Sequence, residues 1–303
     1  LQPPAMTLKG VCHDDPDGRT CHDQKGTAKL RGKGRLHHHL SESVVGHLPA
    51  SPGCEGLTRR RSDMRENITA VFLDIGNTLR ILLEDEPHQT RAKKEIVRLL
   101  GTDADPIAFC DELNARYKVY RKWAFKNMIE APEAELWTKW LAPEFPAEKV
   151  APMALELTYQ FRQSMGRRVV AEGGRAVIEE LYSRGYVLGI ISNVITSREI
   201  PDWLKEDGLD KYFSSVAMSS VLGIRKPDPR IYHYATDTAG VKPENSVYVG
   251  DNINRDVVGT KEAGFGMVII VQDKREAVEP VSVDAQPDMV IQELRELLDI
   301  FPP

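Results

Sequence analysis

Long apolar runs are missing from this 303-residue chain: no stretch approaches the roughly 18 residues needed to span a bilayer. Cysteine is scarce as well, with four residues in all, which excludes a disulfide scaffold and makes a reducing cytosol the expected compartment. No basic excess exists, since 40 Lys and Arg stand against 45 Asp and Glu for a formal charge of −5. A protein dedicated to nucleic acid would carry the opposite balance to displace counterions from phosphate, so no nucleic-acid partner is expected. The opening residues lack the apolar stretch of a signal peptide, which adds to the expectation of a cytoplasmic protein without a membrane partner.

Two further absences divide the chain. Residues 1–65 contain no Phe, Trp or Tyr, yet hold six of the eight histidines and three of the four cysteines. They carry a net charge of +4, leaving −9 for residues 66–303. Such a segment cannot bury enough apolar surface to offset the entropy of ordering, and it is expected to be disordered. Cys12, His13, Cys21 and His22 are metal-capable, but pairs nine residues apart lack the close spacing of a zinc knuckle. The His37-His38-His39 triplet and the Arg59-Arg60-Arg61 cluster read as solvated chain. The chain starts at Leu1, and Met64 stands just before the first strand-like run, so Met64 is the expected natural start and residues 1–65 a disordered or non-native segment. Beyond residue 65 only His88 and His233 remain, which argues against a mechanism centred on histidine.

What is present begins at Ile68. Ile68 to Leu73 is a short β-branched and apolar run that stops at Asp74-Ile75-Gly76-Asn77-Thr78, the pattern of a buried strand and its turn. Residues 88–101, a stretch opened by Asp105-Pro106, and segments carrying Leu136, Trp137 and Trp140 and then Leu157 and Phe161 have helical spacing. They predict a helical domain of about 80 residues, with the three tryptophans 123, 137 and 140 as core. After Arg167 strands and helices alternate: Tyr186 to Ile191 ends at Ser192-Asn193, Ser246 to Val249 at Gly250-Asp251, and Met267 to Val271 and Met289 to Ile291 follow. Short apolar strands joined by helices imply an α/β fold, a doubly wound parallel sheet covered on both faces. In such sheets ligands lie at the carboxyl ends of the strands, which places Asp74, Ser192 and Asp251 at one rim. The expected division is a Rossmann-like core over residues 66–84 and 168–303, with an inserted helical cap over 85–167.

The chemistry of that rim is readable before any comparison. Asp74, Asp251 and Asp256 would repel one another without a cation, and a hard divalent ion such as Mg2+ is the natural partner of carboxylate oxygens. Two hydroxyls, Thr78 and Ser192, and the Lys226 ammonium would surround an anionic group such as phosphate. A carboxylate aimed at that group could attack it and form an acyl phosphate.

Asp74-Ile75-Gly76-Asn77-Thr78-Leu79, Ile190-Ile191-Ser192-Asn193, Arg225-Lys226-Pro227-Asp228-Pro229 and Gly250-Asp251-Asn252-Ile253-Asn254-Arg255-Asp256 resemble, in order, the four motifs of the haloacid dehalogenase superfamily. The resemblance implies that Asp74 is nucleophile and metal ligand, that Gly76 offers a backbone carbonyl to Mg2+, and that Asp251 completes the metal site. Thr78, Ser192, Asn193 and Lys226 would bind the phosphoryl group of a small phosphorylated metabolite, with Lys226 neutralising charge. Asp256 would support the metal shell or orient Lys226. One position departs from the phosphatase pattern: Gly76 stands where a second aspartate usually protonates the leaving group, help worth about 10²- to 10⁴-fold. Glu84, Asp85, Glu86 or His88 could supply that proton instead. Two other readings stay open, a metal-independent 2-haloacid dehalogenase and a catalytically weak binding or regulatory protein. Arg80 is expected to form a salt bridge or to reach an anionic substrate. Neither the substrate nor the oligomeric state is legible.

Overall fold

Val71 and Leu73 alternate with Ala70 and Phe72 along the first strand, and all four side chains are buried, so this strand must be covered on both faces. The computed structural model describes residues 67–272 and 286–303, which belong to one compact unit. The expectations for the Cys12 to His22 group, the histidine triplet, the arginine cluster and Met64 lie outside the described residues.

The main sheet has six parallel strands in the order β5-β4-β1-β6-β7-β8. They are β1 (Ala70–Leu73), β4 (Val187–Ser192), β5 (Phe213–Met218), β6 (Ser246–Gly250), β7 (Met267–Val271) and β8 (Met289–Ile291). On one face Val71, Leu73, Ile190, Val249 and Ile269 pack with Val177 and Leu181 of a helix. On the other, Phe72, Tyr248 and Ile270 pack with Ile231, Tyr232 and Ala235 of a second. The fold is therefore the doubly wound α/β class, with an inserted helical domain. Strand order changes direction around β1, between β4 and β6, which opens a crevice at their carboxyl ends.

Between β1 and β4 the chain forms a two-stranded antiparallel ribbon, β2 (Arg80–Leu83) with β3 (Arg167–Val170), and the helical insert hangs from it. The insert opens with α1 (Glu86–Leu100), whose N-terminus is capped by Asp85 accepting from His88 N–H. Helix α2 (Pro106–Asn127) starts as Asp105-Pro106 predicts, with the Asp105 carboxylate accepting from Ile107 and Ala108 N–H. A π-helical turn over Leu136–Leu141 and α3 (Ala154–Ser164) complete the layer. Its core joins Leu113, Tyr120, Trp137, Leu157 and Phe161. Trp137 is fully buried and donates to Thr158 Oγ1 at 2.8 Å, so this tryptophan is core packing. Cys110 is buried there too, and burial pushes its thiol up to about 11, which leaves it inert at neutral pH.

The remaining longer helices, α4 (Gly174–Ser183), α5 (Glu199–Glu206) and α6 (Pro229–Ala239), flank the sheet. Among the described residues no helix is long and apolar enough to cross a membrane.

Candidate active site

Because β1 is central, the residue after it stays bound to its neighbour β6. Asp74 N–H donates to Val249 O of β6 at 2.8 Å, which carries the register one residue past the strand. The Asp74 carboxylate then turns back, and its Oδ1 accepts from Ile75 N–H at 2.7 Å. From β6, Gly250 leads into Asp251 and a π-helical turn over Ile253–Val257, a wide turn found frequently at functional sites. Gly250 is required by close approach: a Cβ there would lie 2.5 Å from Asp256 Oδ2. Without a side chain at 250, Asp256 folds back under the strand end and accepts from Asn252 N–H at 3.1 Å.

Asp74, Asp251 and Asp256 thereby present carboxylate oxygens within 4.8 Å of one another. Two cations enter this group. Lys226 Nζ lies 3.1 Å from Asp74 Oδ2 and 3.2 Å from Asp256 Oδ1, and donates to the hydroxyl of Tyr248. Arg255 places a single atom, Nη2, at 2.9 Å from Asp74 Oδ2, 2.9 Å from Asp251 Oδ1 and 3.0 Å from Asp256 Oδ2. Its Nε donates to Asp256 Oδ1 at 2.9 Å.

These contacts divide the three acids. Burial pushes the Asp251 carboxyl up to about 6; the Arg255 charge opposes this, and repulsion from Asp74 and Asp256 adds to it. Burial would also raise Asp256, but the Arg255 and Lys226 charges beside it outweigh that effect and hold it below the usual carboxylate range. Asp256 is thus an anion committed to two cations. Asp251, half-exposed at the rim, is less committed and accepts from Asn77 Nδ2 at 3.2 Å.

The other sequence-derived positions surround this centre. Thr78 is buried, and its Oγ1 has no hydrogen-bond partner among the described residues, an orphaned polar atom at the end of the first motif. Ser192 closes β4 beside β1 and is 4% exposed. Asn193 differs from the expectation of a substrate contact. Its Oδ1 accepts from Lys226 N–H at 2.9 Å and its Nδ2 donates to Lys226 O at 3.0 Å, so both ends of the amide clamp the lysine's backbone. Gly76 is exposed, and a Cβ placed on it meets nothing within 4 Å.

The substitute acids do not join the centre. Asp85 caps α1, and His88 Nε2 faces Gln163 Oε1 at 3.1 Å within the insert. Among the described residues Arg80 forms no salt bridge. Its guanidinium stacks 4.4 Å over the Trp203 ring and donates to Arg168 O. Arg80, His88, Tyr159, Arg168, Glu199 and Trp203 help line a cavity of about 430 Å³ that excludes the three rim aspartates.

Sequence reasoning assigned no role to Arg255 or Tyr248. Arg255 lies inside the fourth motif, directly before Asp256. The only available signal for Tyr248 was a phenol in an otherwise aliphatic buried strand, whose hydroxyl must find a partner. A buried Glu130 from the insert was also missed. It accepts from the hydroxyls of Tyr120 and Ser219 and pairs with Arg225, tying the insert to the loop that carries Lys226.

A doubly wound α/β chain with opposed carboxylates and a buried lysine at its switch point defines a class of hydrolytic rim. The sequence profile described as haloacid dehalogenase-like hydrolase matches residues 99–270, more than half of the chain, and the chain belongs to that family of hydrolases. Phosphoserine phosphatase of Thermus thermophilus is 29% identical over 257 residues, covering 75% of this chain and 96% of that protein. A glyceraldehyde 3-phosphate phosphatase of Methanopyrus kandleri is 35% identical over 121 residues, 40% of this chain, so the match spans 52% of that relative's length. Among solved structures, a 2-haloacid dehalogenase from Pseudomonas syringae is similar in fold, with a TM-score of 0.56 at 22% identity over 77% of this chain and 97% of that one.

Proposed function

We propose that this hydrolase is a Mg2+-dependent cytoplasmic phosphatase of a small phosphorylated metabolite, acting through an aspartyl phosphate on Asp74. The observation that carries the reading is the pairing of an oriented Asp74 carboxylate, fixed by Ile75 N–H and Lys226 Nζ, with the unpartnered Thr78 hydroxyl. The two phosphatase relatives named above support the substrate class.

The donor set suits a hard cation. Carboxylate oxygens of three acids converge within 4.8 Å, and one guanidinium nitrogen lies within hydrogen-bond distance of all three. Asp74, the Gly76 carbonyl and Asp251 would hold Mg2+, which when bound supplies positive charge to the phosphoryl oxygens.

The chain's own residues do the rest. Thr78 and Ser192 hydroxyls bind the phosphoryl oxygens, while Lys226 balances their charge and that of Asp74. Asp74 attacks phosphorus, the bond to the ester oxygen breaks, and an acyl phosphate forms. Water then attacks phosphorus, releasing inorganic phosphate and restoring the carboxylate. Asn193 and Asp256 act as positioning residues, the first through the Lys226 backbone and the second through its ammonium. Residues 66–84 and 168–303 form the catalytic core in this reading, and residues 85–167 the cap that selects the substrate.

Gly76 favours a second reading, a metal-independent 2-haloacid dehalogenase-like hydrolase or a weakly catalytic binder. The two separate in one assay. Release of phosphate from p-nitrophenyl phosphate is expected with Mg2+ and is lost in EDTA. Halide release from a 2-haloacid in EDTA would overturn the phosphatase reading in favour of the dehalogenase. Activity of neither kind would leave the binder.

A further inference from the structure

Arg255 Nη2 sits where the three acids converge. It lies within 3.0 Å of an oxygen from each of Asp74, Asp251 and Asp256. Asp74 has little capacity left for another cation while Arg255 stays, since Oδ1 accepts from Ile75 N–H and Oδ2 already faces both Lys226 and Arg255. A divalent ion bound through oxygen at about 2.1 Å would share the same carboxylate oxygens with a like-charged guanidinium.

The two resident cations are not equally fixed. Lys226 has a fully buried side chain, is clamped through its backbone by Asn193, and donates to Tyr248. The Arg255 side chain is 21% exposed and leaves from the π-helical turn, whereas the Lys226 side chain is fully buried. Charge points the same way. Three carboxylates against Lys226 and a divalent ion are neutral, whereas retaining Arg255 as well leaves surplus positive charge in a buried site.

We infer that Arg255 is a built-in counterion that occupies the metal seat in the metal-free protein and swings out when the divalent ion binds. Its charge thereby sets the metal concentration the protein requires. This rests on the metal-dependent reading of the rim and names its regulation. The competition leaves the three acids with a net charge of only −1 while the protein waits for metal, at the cost of weaker metal binding.

The test is Mg2+ titration by calorimetry on the full chain, comparing the wild type with Arg255→Met and Arg255→Gln. Both variants are expected to bind Mg2+ about 10- to 100-fold more tightly, the range over which groups around a metal site alter affinity. Thermal melting provides a second readout, because a ligand bound only by the folded state stabilises it by mass action. The variants should melt below the wild type without metal and gain more from millimolar Mg2+ than the wild type gains. A variant that folds only with Mg2+ supports the inference, and one that Mg2+ does not rescue overturns it. Equal affinities in all three proteins overturn the role of Arg255 and leave the metal site standing. Absence of Mg2+ binding in all three overturns both.

Discussion

Asp74→Asn is expected to lower turnover of p-nitrophenyl phosphate at least about 10⁴-fold, in the range seen when a covalent nucleophile is removed. An amide oxygen can still accept from Ile75 N–H, as Asp74 Oδ1 does now at 2.7 Å, so the local turn has no reason to rearrange. What is lost is the anion that attacks phosphorus and the partner of Lys226 Nζ at 3.1 Å. Steady-state kinetics alongside circular dichroism would separate the two effects. The outcome expected is a folded, inactive protein, and retention of more than about one hundredth of wild-type turnover would remove Asp74 from the nucleophile's role.

Gly76→Asp is expected to act in the opposite direction. A Cβ at 76 meets nothing within 4 Å, and the residue is exposed at the mouth of the rim, so a carboxyl group can be added without displacing a neighbour. Two residues from the attacking carboxylate, it would be placed to protonate the leaving oxygen and then to activate water. General acid-base help of this kind is worth about 10²- to 10⁴-fold, and a gain near the lower bound in kcat is expected for alkyl phosphate esters. Acetyl phosphate and p-nitrophenyl phosphate, whose leaving groups depart without a proton, should gain little. Equal gains on both classes, or none on either, would contradict the missing-acid explanation and point to an acid already present.

The parts of the fold that were legible are those where local sequence and burial agree. β1, β4 and β6 are short apolar runs ending at Asp74, Ser192 and Asp251, and a strand buried on both faces has no other composition available. The start of helix α2 was legible because Asp105 caps it and Pro106 fits its first turn. The β2–β3 ribbon was not. Each strand has four residues, Ile81, Leu82 and Leu83 are exposed, and the partners pair across 83 or more residues of intervening chain. Helix α5 was missed because it has only 8 residues and Arg198 at its N-cap supplies no capping side chain.

The same distinction holds at the rim. The convergence of Asp74, Lys226, Asp251 and Asp256 followed from strand ends and motif order. Tyr248 and Arg255 act through side chains that reach across elements, and no periodicity encodes where such a side chain goes. Arg80 illustrates the limit in reverse. Its position after the first motif suggested substrate, while the ribbon that carries it turns the guanidinium onto Trp203.

The central claim, that Asp74 carries the phosphoryl group, is tested most directly by trapping. Wild-type protein turning over acetyl phosphate with Mg2+ would be quenched, reduced with borohydride, and its peptides mapped by mass. Conversion of Asp74 to homoserine, absent when Mg2+ is withheld and absent in Asp74→Asn, is the predicted result. Turnover with an unmodified Asp74, or with the conversion at any other residue, would contradict it.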